Sequence, residues 1–281
     1  MDKLTFFQLI PIVIYLGATA DLVLAQVFDR RQFRNSGVFL SALGAVLHGL
    51  ALFQSIDTPA GLDANFFNVL SLAALLIMGT LVLTALAWSR AAEACVIAAP
   101  GAALCLALQA LVPVDALILG DLSETARLHI VSSLLAYSLL SIAAINAIML
   151  AAQDYALRHP RLIHRLEFLP PLAVIETIMF RLILAGWLLL TLSLASGMAF
   201  VDNLFAQHLV HKTGLSVLSW VLFGLLLLGR WRLGWRGRRA VRWTLIAMTV
   251  LALSYFGSKL VLELVLDRSW QTAAEVSSLI R

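Results

Sequence analysis

Of 281 residues, 61% are hydrophobic and 13% charged, and the mean hydropathy is +0.93. A soluble domain has roughly 45–50% apolar and about 25% charged residues, so a water-soluble fold is excluded. The net charge of +4 comes from basic residues gathered in short loops between apolar runs, where membrane topology accounts for them and no nucleic-acid partner is implied.

A helix needs about 20 apolar residues to cross the hydrocarbon core, which gives this chain room for about six to nine spans. In chain order the predicted spans are Leu4–Ala25, Gly37–Ile56, Phe66–Trp88, Ala94–Val112, Leu128–Ala151, Val174–Phe200, Thr213–Gly229 and Val241–Val261. Helices are expected because open strands would leave backbone groups unpaired in lipid, and the alternation of a barrel is absent. The first run carries Asp21 and lacks the basic start and cleavage site of a signal peptide, so it is read as a mature span. There is no repeat or linker, and residues 1–281 read as one transmembrane domain.

The loops set the orientation. DRRQFR (Asp29–Arg34), SRAAE (Ser89–Glu93), RHPRLIHR (Arg158–Arg165) and RWRLGWRGRR (Arg230–Arg239) are basic and therefore expected in the cytoplasm. The alternate loops, IDTPAGLDAN, PVDALILGDLSETAR and VDNLFAQHLVHK, hold almost no Lys or Arg. The expectation is an all-α polytopic membrane protein of eight transmembrane helices, with the N- and C-termini extracytoplasmic.

An ionisable side chain at membrane depth costs several kcal/mol unless paired or hydrated, so function is sought there first. The set comprises Asp21, His48, Glu176, Arg181, Lys259 and Glu263 in or near spans, with His129, His208 and His211 at the outer boundary. His48 lies about eleven residues into the second span, roughly 16 Å at the helical rise and so near the midplane. It reads either as a heme ligand or proton relay, or as a neutral imidazole hydrogen-bonded to a neighbouring helix. His129 opens the fifth span and His211 the seventh, so the topology brings both to one outward rim. Two imidazoles about one heme width apart could bind iron from opposite sides of a porphyrin. Lys212 beside His211, and Arg181, are the cations available to a propionate; His208 competes with His211, and interfacial histidines are also ordinary.

Glu176 and Arg181 are five residues apart, a spacing that does not pair on one helix, so each is expected to reach another helix. Lys259 and Glu263, four apart, suit a local pair or contact with an anionic group. Trp187, Trp220, Trp231, Trp235, Trp243 and Trp270 read mostly as an interfacial belt. GWRGRR at Gly234–Arg239 reads as a basic turn that fixes topology and meets anionic headgroups. Cys95 and Cys105 share one apolar run without a CxxC pair and read as packing residues.

Six segments, in order, resemble the cytochrome c assembly family of heme-handling membrane proteins, in its smaller HemX-like and YpjD-like branch. They are LHIVSSLLAYSLLSIAAINAIML at Leu128–Leu150, LPPL at Leu169–Leu172, FRLILAGWLLLTLSLASG at Phe180–Gly197, HKTGLSVLSW at His211–Trp220, GWRGRRA at Gly234–Ala240 and YFGSK at Tyr255–Lys259. The resemblance is strongest over residues 124–266; before it, only the basic-loop topology and the histidine in the second span match. It implies that His129 holds the outward heme-ligand position and that His211-Lys212 lies in the external heme-handling region. It also implies heme as cofactor, membrane lipid as surroundings, and other cytochrome c assembly or heme biosynthesis proteins as partners.

Two features depart from the family. The tryptophan-rich WWD signature is absent, since the corresponding loop reads GMAFVDNLFAQHLVHKT, and no second outward histidine follows YFG. The chain also lacks CxxCH and so is not itself a c-type cytochrome. No nucleophile, metal cluster or phosphate loop marks an enzyme with its own turnover. The expected function is an integral membrane heme-binding or heme-handling accessory, with a small-solute or ion permease, or a non-catalytic regulator of a membrane complex, as the alternatives.

Overall fold

Backbone N–H and C=O groups find no partner in hydrocarbon, so each crossing segment must close its own hydrogen bonds, and this chain does so with helices. The computed structural model describes residues 3–28, 30–59, 61–87, 92–112, 114, 116–119, 123–159, 171–200 and 207–254. These form α1 (Lys3–Phe28), α2 (Arg31–Ile56), α3 (Phe66–Ala87), α4 (Ala92–Leu111), α5 (Glu124–Leu157), α6 (Leu172–Phe200), α7 (Gln207–Leu233) and α8 (Gly237–Ala252). Among the described residues, α1 to α7 are long and apolar enough to cross a membrane. Helix α8 has 16 residues; positions 255–261 of the expected span, together with Lys259, Glu263 and Trp270, lie outside the described residues.

Several helices run past the apolar stretches that announce them. α2 starts at Arg31, taking in most of the basic DRRQFR segment. α5 spans 34 residues, and at its start the Ser123 hydroxyl accepts from the Ala126 N–H at 3.3 Å. That serine cap satisfies one of the donors left over in the first turn.

The helices pack in two groups of four, each with its own apolar core. In the first, Tyr15, Leu22, Met78 and Leu106 meet between α1 and α4. In the second, Leu140, Ile183, Phe223 and Leu226 meet between α5 and α8. Within the second group α5 lies against α6 and α8, and α7 lies against the same two helices, so α5 and α7 stand on a diagonal. α5 also touches α3 and α4 and joins the two groups.

Successive helices are antiparallel, and this sorts the loops between two ends. The Gln26 amide donates to Glu93 at 2.8 Å, and Arg238 donates to Asp154 at 2.8 Å. Ala94, Met149 and Ala173 line a shared groove. The described parts of all the basic loops therefore share one end of the bundle. α1 begins, and the described part of α8 finishes, at the opposite end.

At that opposite end the polar loops form structure that hydropathy does not predict. β1 (Asp57–Thr58), β2 (Gly61–Asp63) and β3 (Ile118–Leu119) pair as an antiparallel sheet in that order. Asp63, buried beneath it, accepts from the Leu117 N–H at 2.8 Å and from the Asn65 side-chain amide at 3.0 Å. Asn68 donates to the Asp63 carbonyl at 2.9 Å and accepts from Gln109 at 2.7 Å. A buried carboxylate must have its lone pairs satisfied, and here they tie the loop after α2 to the loop after α4.

Candidate functional site

The end of the α5–α6 contact away from the basic loops is built from small residues. Ala126, Ser132, Ala136 and Ala143 are buried along α5, and Ser193 and Ser196 along α6. Small side chains let two helix backbones approach closely in a membrane, where no hydrophobic force drives them together. His129 occupies the space this leaves. Its Nδ1 lies 2.8 Å from the carbonyl oxygen of Ser193, which also accepts from the Ser196 hydroxyl at 3.0 Å. A carbonyl can only accept, so Nδ1 carries the proton and the ring lone pair sits on Nε2. A Cβ added at Gly197 would come within 3.0 Å of Nδ1, so the absence of a side chain there makes room for the imidazole. A ring nitrogen held by a carbonyl is one of the ways in which a metal-binding histidine is oriented.

His211 and Lys212 lie in the opening turns of α7, and their side chains, like that of His208, lie outside the described residues. Their backbone position follows from the packing. Trp187 of α6 and Trp220 of α7 stack with centroids 5.4 Å apart, which sets the two helices in register. From that level Ser193 is roughly 9 Å and His211 roughly 14 Å along the helix axis, at the same end. The two expected histidines therefore come from diagonal helices at one rim.

His48 sits in the other half of the bundle, fully buried. Its Nδ1 is 3.2 Å from the Tyr15 hydroxyl and its Nε2 is 2.8 Å from the Ser71 hydroxyl. With both ring nitrogens in hydrogen bonds, His48 has no nitrogen to offer iron. The helix-bridging reading is the one the geometry supports for His48.

Arg181 is also separated from the His129 rim. It lies twelve positions before Ser193 on α6, about 18 Å along the axis, so it cannot serve a group held at His129. The sequence places both residues in the same set because spacing along a helix does not reveal which end a residue serves.

Glu176 reaches other helices, as its spacing from Arg181 predicts. It accepts from Arg230 of α7 at 2.6 Å and from the Gly237 N–H at the start of α8 at 3.2 Å, with Arg236 at 3.5 Å. Gly234 and Gly237 both have positive φ, which a glycine adopts without steric cost. Those two residues fold GWRGRR back so that Glu176 also caps α8. Asp154 gathers Arg158 at 3.1 Å and Arg238 at 2.8 Å nearby. The basic turn is thus pinned by carboxylates from α5 and α6.

Other residues differ from what their positions suggest. Glu93, expected in a loop, is buried in the first turn of α4 and holds Gln26. Asp21 accepts from the Ser36 hydroxyl. Trp187 and Trp220 are not belt residues: each indole N–H donates across the α6–α7 contact, to the Trp220 carbonyl at 3.0 Å and to Thr191 at 2.8 Å. Trp231, 79% exposed, does suit a belt. Cys95 is buried and Cys105 partly so, and neither is in a disulfide. The signal for the His129 pocket was present in the run SLASG, whose small residues recur at helical spacing.

Apolar helices with an internally paired polar set define a polytopic α-helical membrane protein. Residues 37–266 match the family model described as Cytochrome C assembly protein, and the chain belongs to that family. It is 32% identical over 261 residues to the inner membrane protein YpjD of Escherichia coli strain K12, across 92% of this chain and 98% of the relative. A protein of Azospirillum brasilense, named as an uncharacterized 28.8 kDa protein in a nifR3-like 5' region, is 39% identical over 141 residues, 50% of this chain and 52% of the relative. No solved structure matches. The match extends the resemblance back into α2, well before the segments that carry it by eye. The protein is a multi-pass protein of the inner membrane.

Glu176→Ala should leave Arg230 without its carboxylate and α8 without its cap. Thermal unfolding in detergent should show a loss of about 2–3 kcal/mol. Glu124→Ala, which removes the exposed pair with Arg127, should change stability by less than about 0.5 kcal/mol.

Proposed function

We propose that the protein is a heme-binding accessory of the inner membrane that handles heme for cytochrome c biogenesis or heme metabolism. His129 and His211 are the axial ligands, and Lys212 is the cation for a propionate. The observation that carries this reading is the His129–Ser193 hydrogen bond over Gly197, which fixes the tautomer and ring orientation an iron ligand needs. Bound heme would supply a redox-active iron with two axial positions. The chain's own part is to hold the imidazole, set its tautomer and surround the site with apolar helices. This function requires no turnover by the protein itself. A permease route through Asp21, His48, Glu176 and Arg181 draws little support from the packing, because the first three of these residues are each committed to a partner within the bundle.

The orientation belongs to the same reading. Basic loops prefer the cytoplasm, so the end that carries Arg158 and Arg230–Arg239 faces inward, α8 completes an eighth span and both termini face outward. His129 then opens to the extracytoplasmic side, where c-type cytochromes receive heme.

Heme titrated into the purified protein should give a Soret band that is lost in His129→Ala and in His211→Ala. A protein that gives no band, or a band unchanged in the double variant, contradicts the assignment. A phosphatase reporter, active only outside the cytoplasm, should be active when fused after Arg281 and silent when inserted at residue 162. The reverse pattern would refute the orientation.

A further inference from the structure

Between the two halves of the bundle runs a groove of about 550 Å³, walled by α3, α4, α5 and α6. Most of its wall is apolar, with Leu81, Ile142, Met149 and Leu182 among its residues, and Arg181 stands in it. Arg181 is nine positions into α6, about 14 Å along the helix, and its side chain is exposed in the bundle. A guanidinium stays charged at any accessible pH, so at this depth it needs a counter-charge.

The protein supplies none among the described residues. The carboxylates nearest that end are taken: Glu176 by Arg230, Glu93 by Gln26, and Asp154 by Arg158 and Arg238. The polar side chains in the groove are neutral and turned to their own helices. Thr80 donates to Leu76, Thr84 to Thr80, Thr177 to Ala173 and Asn146 to Ile142, at 2.7–2.8 Å. The site thus combines one uncompensated cation with an apolar trough open to the side of the bundle. Such basic pockets between transmembrane helices match anionic lipid headgroups.

We infer that this groove binds one anionic phospholipid, with its phosphate on Arg181 and an acyl chain along the apolar wall between the two halves. The lipid would fill the seam where α5 and α6 approach α3 and α4, and would stabilise their packing. The site is independent of the His129 rim, about 18 Å away along α6.

The full-length protein, delipidated in mild detergent, should retain one phosphatidylglycerol by native mass spectrometry and melt at a higher temperature in its presence. Phosphatidylcholine and inorganic phosphate should do neither. Arg181→Gln should reduce retention at least tenfold, Arg181→Lys should retain part of it, and Arg158→Gln, at the exposed end, should retain all of it. Thr177→Trp, which fills the groove and keeps the cation, should also expel the lipid, and it decides the matter if Arg181→Gln does not fold. Equal retention in wild type and Thr177→Trp, no preference for phosphatidylglycerol over phosphatidylcholine, or an effect reproduced by phosphate alone would overturn the inference. The heme titration of Arg181→Gln should match wild type, so a failure here is distinguishable from a failure of the heme reading.

Discussion

The structure is governed by the need to satisfy every polar group without water. Inside a bilayer an unpaired donor, acceptor or charge costs several kcal/mol, and the helical backbone resolves only its own share. Side chains resolve much of the rest. Tyr15, His48 and Ser71 close one network across three helices, Glu176 closes another across α6, α7 and α8, and Asp63 closes a third at the loop end. Each joins elements distant in sequence, so the polar minority holds the register while the apolar majority only fills space.

His129 gains its properties from the same rule. Its Nδ1–H is satisfied by a carbonyl of the neighbouring helix rather than by solvent, and this orients the ring. His48 is held at both ring nitrogens by hydroxyls from α1 and α3, and it bridges three helices.

Much of the fold was legible in the sequence. Hydropathy located the centres of α1 to α7 and the basic loops sorted their ends, since both signals come from the bilayer itself. Helix ends were not legible: α5 begins at Glu124 and finishes at Leu157, beyond its apolar run, because caps and ion pairs at the interface extend it where hydropathy has no signal. The short strands were missed because two or three residues carry no alternation, and their pairing depends on Asp63. The spacing of Glu176 and Arg181 showed that they would not pair, but not that Glu176 caps α8 while Arg181 stands in a groove. Trp187 and Trp220 looked interfacial by type and prove to be a stacked joint, a fact held by the α6–α7 register rather than by either residue. His129 was identifiable from its place at a span end; its carbonyl and glycine partners, 64 and 68 positions away, were visible only in three dimensions.

The central claim is that the imidazole of His129 is itself the group that binds iron. It is tested most directly by removing the ring and supplying it from solution. His129→Gly loaded with heme should lose the six-coordinate low-spin spectrum of the wild type and regain it when free imidazole is added. A His129→Gly spectrum identical to wild type and indifferent to imidazole would contradict the account.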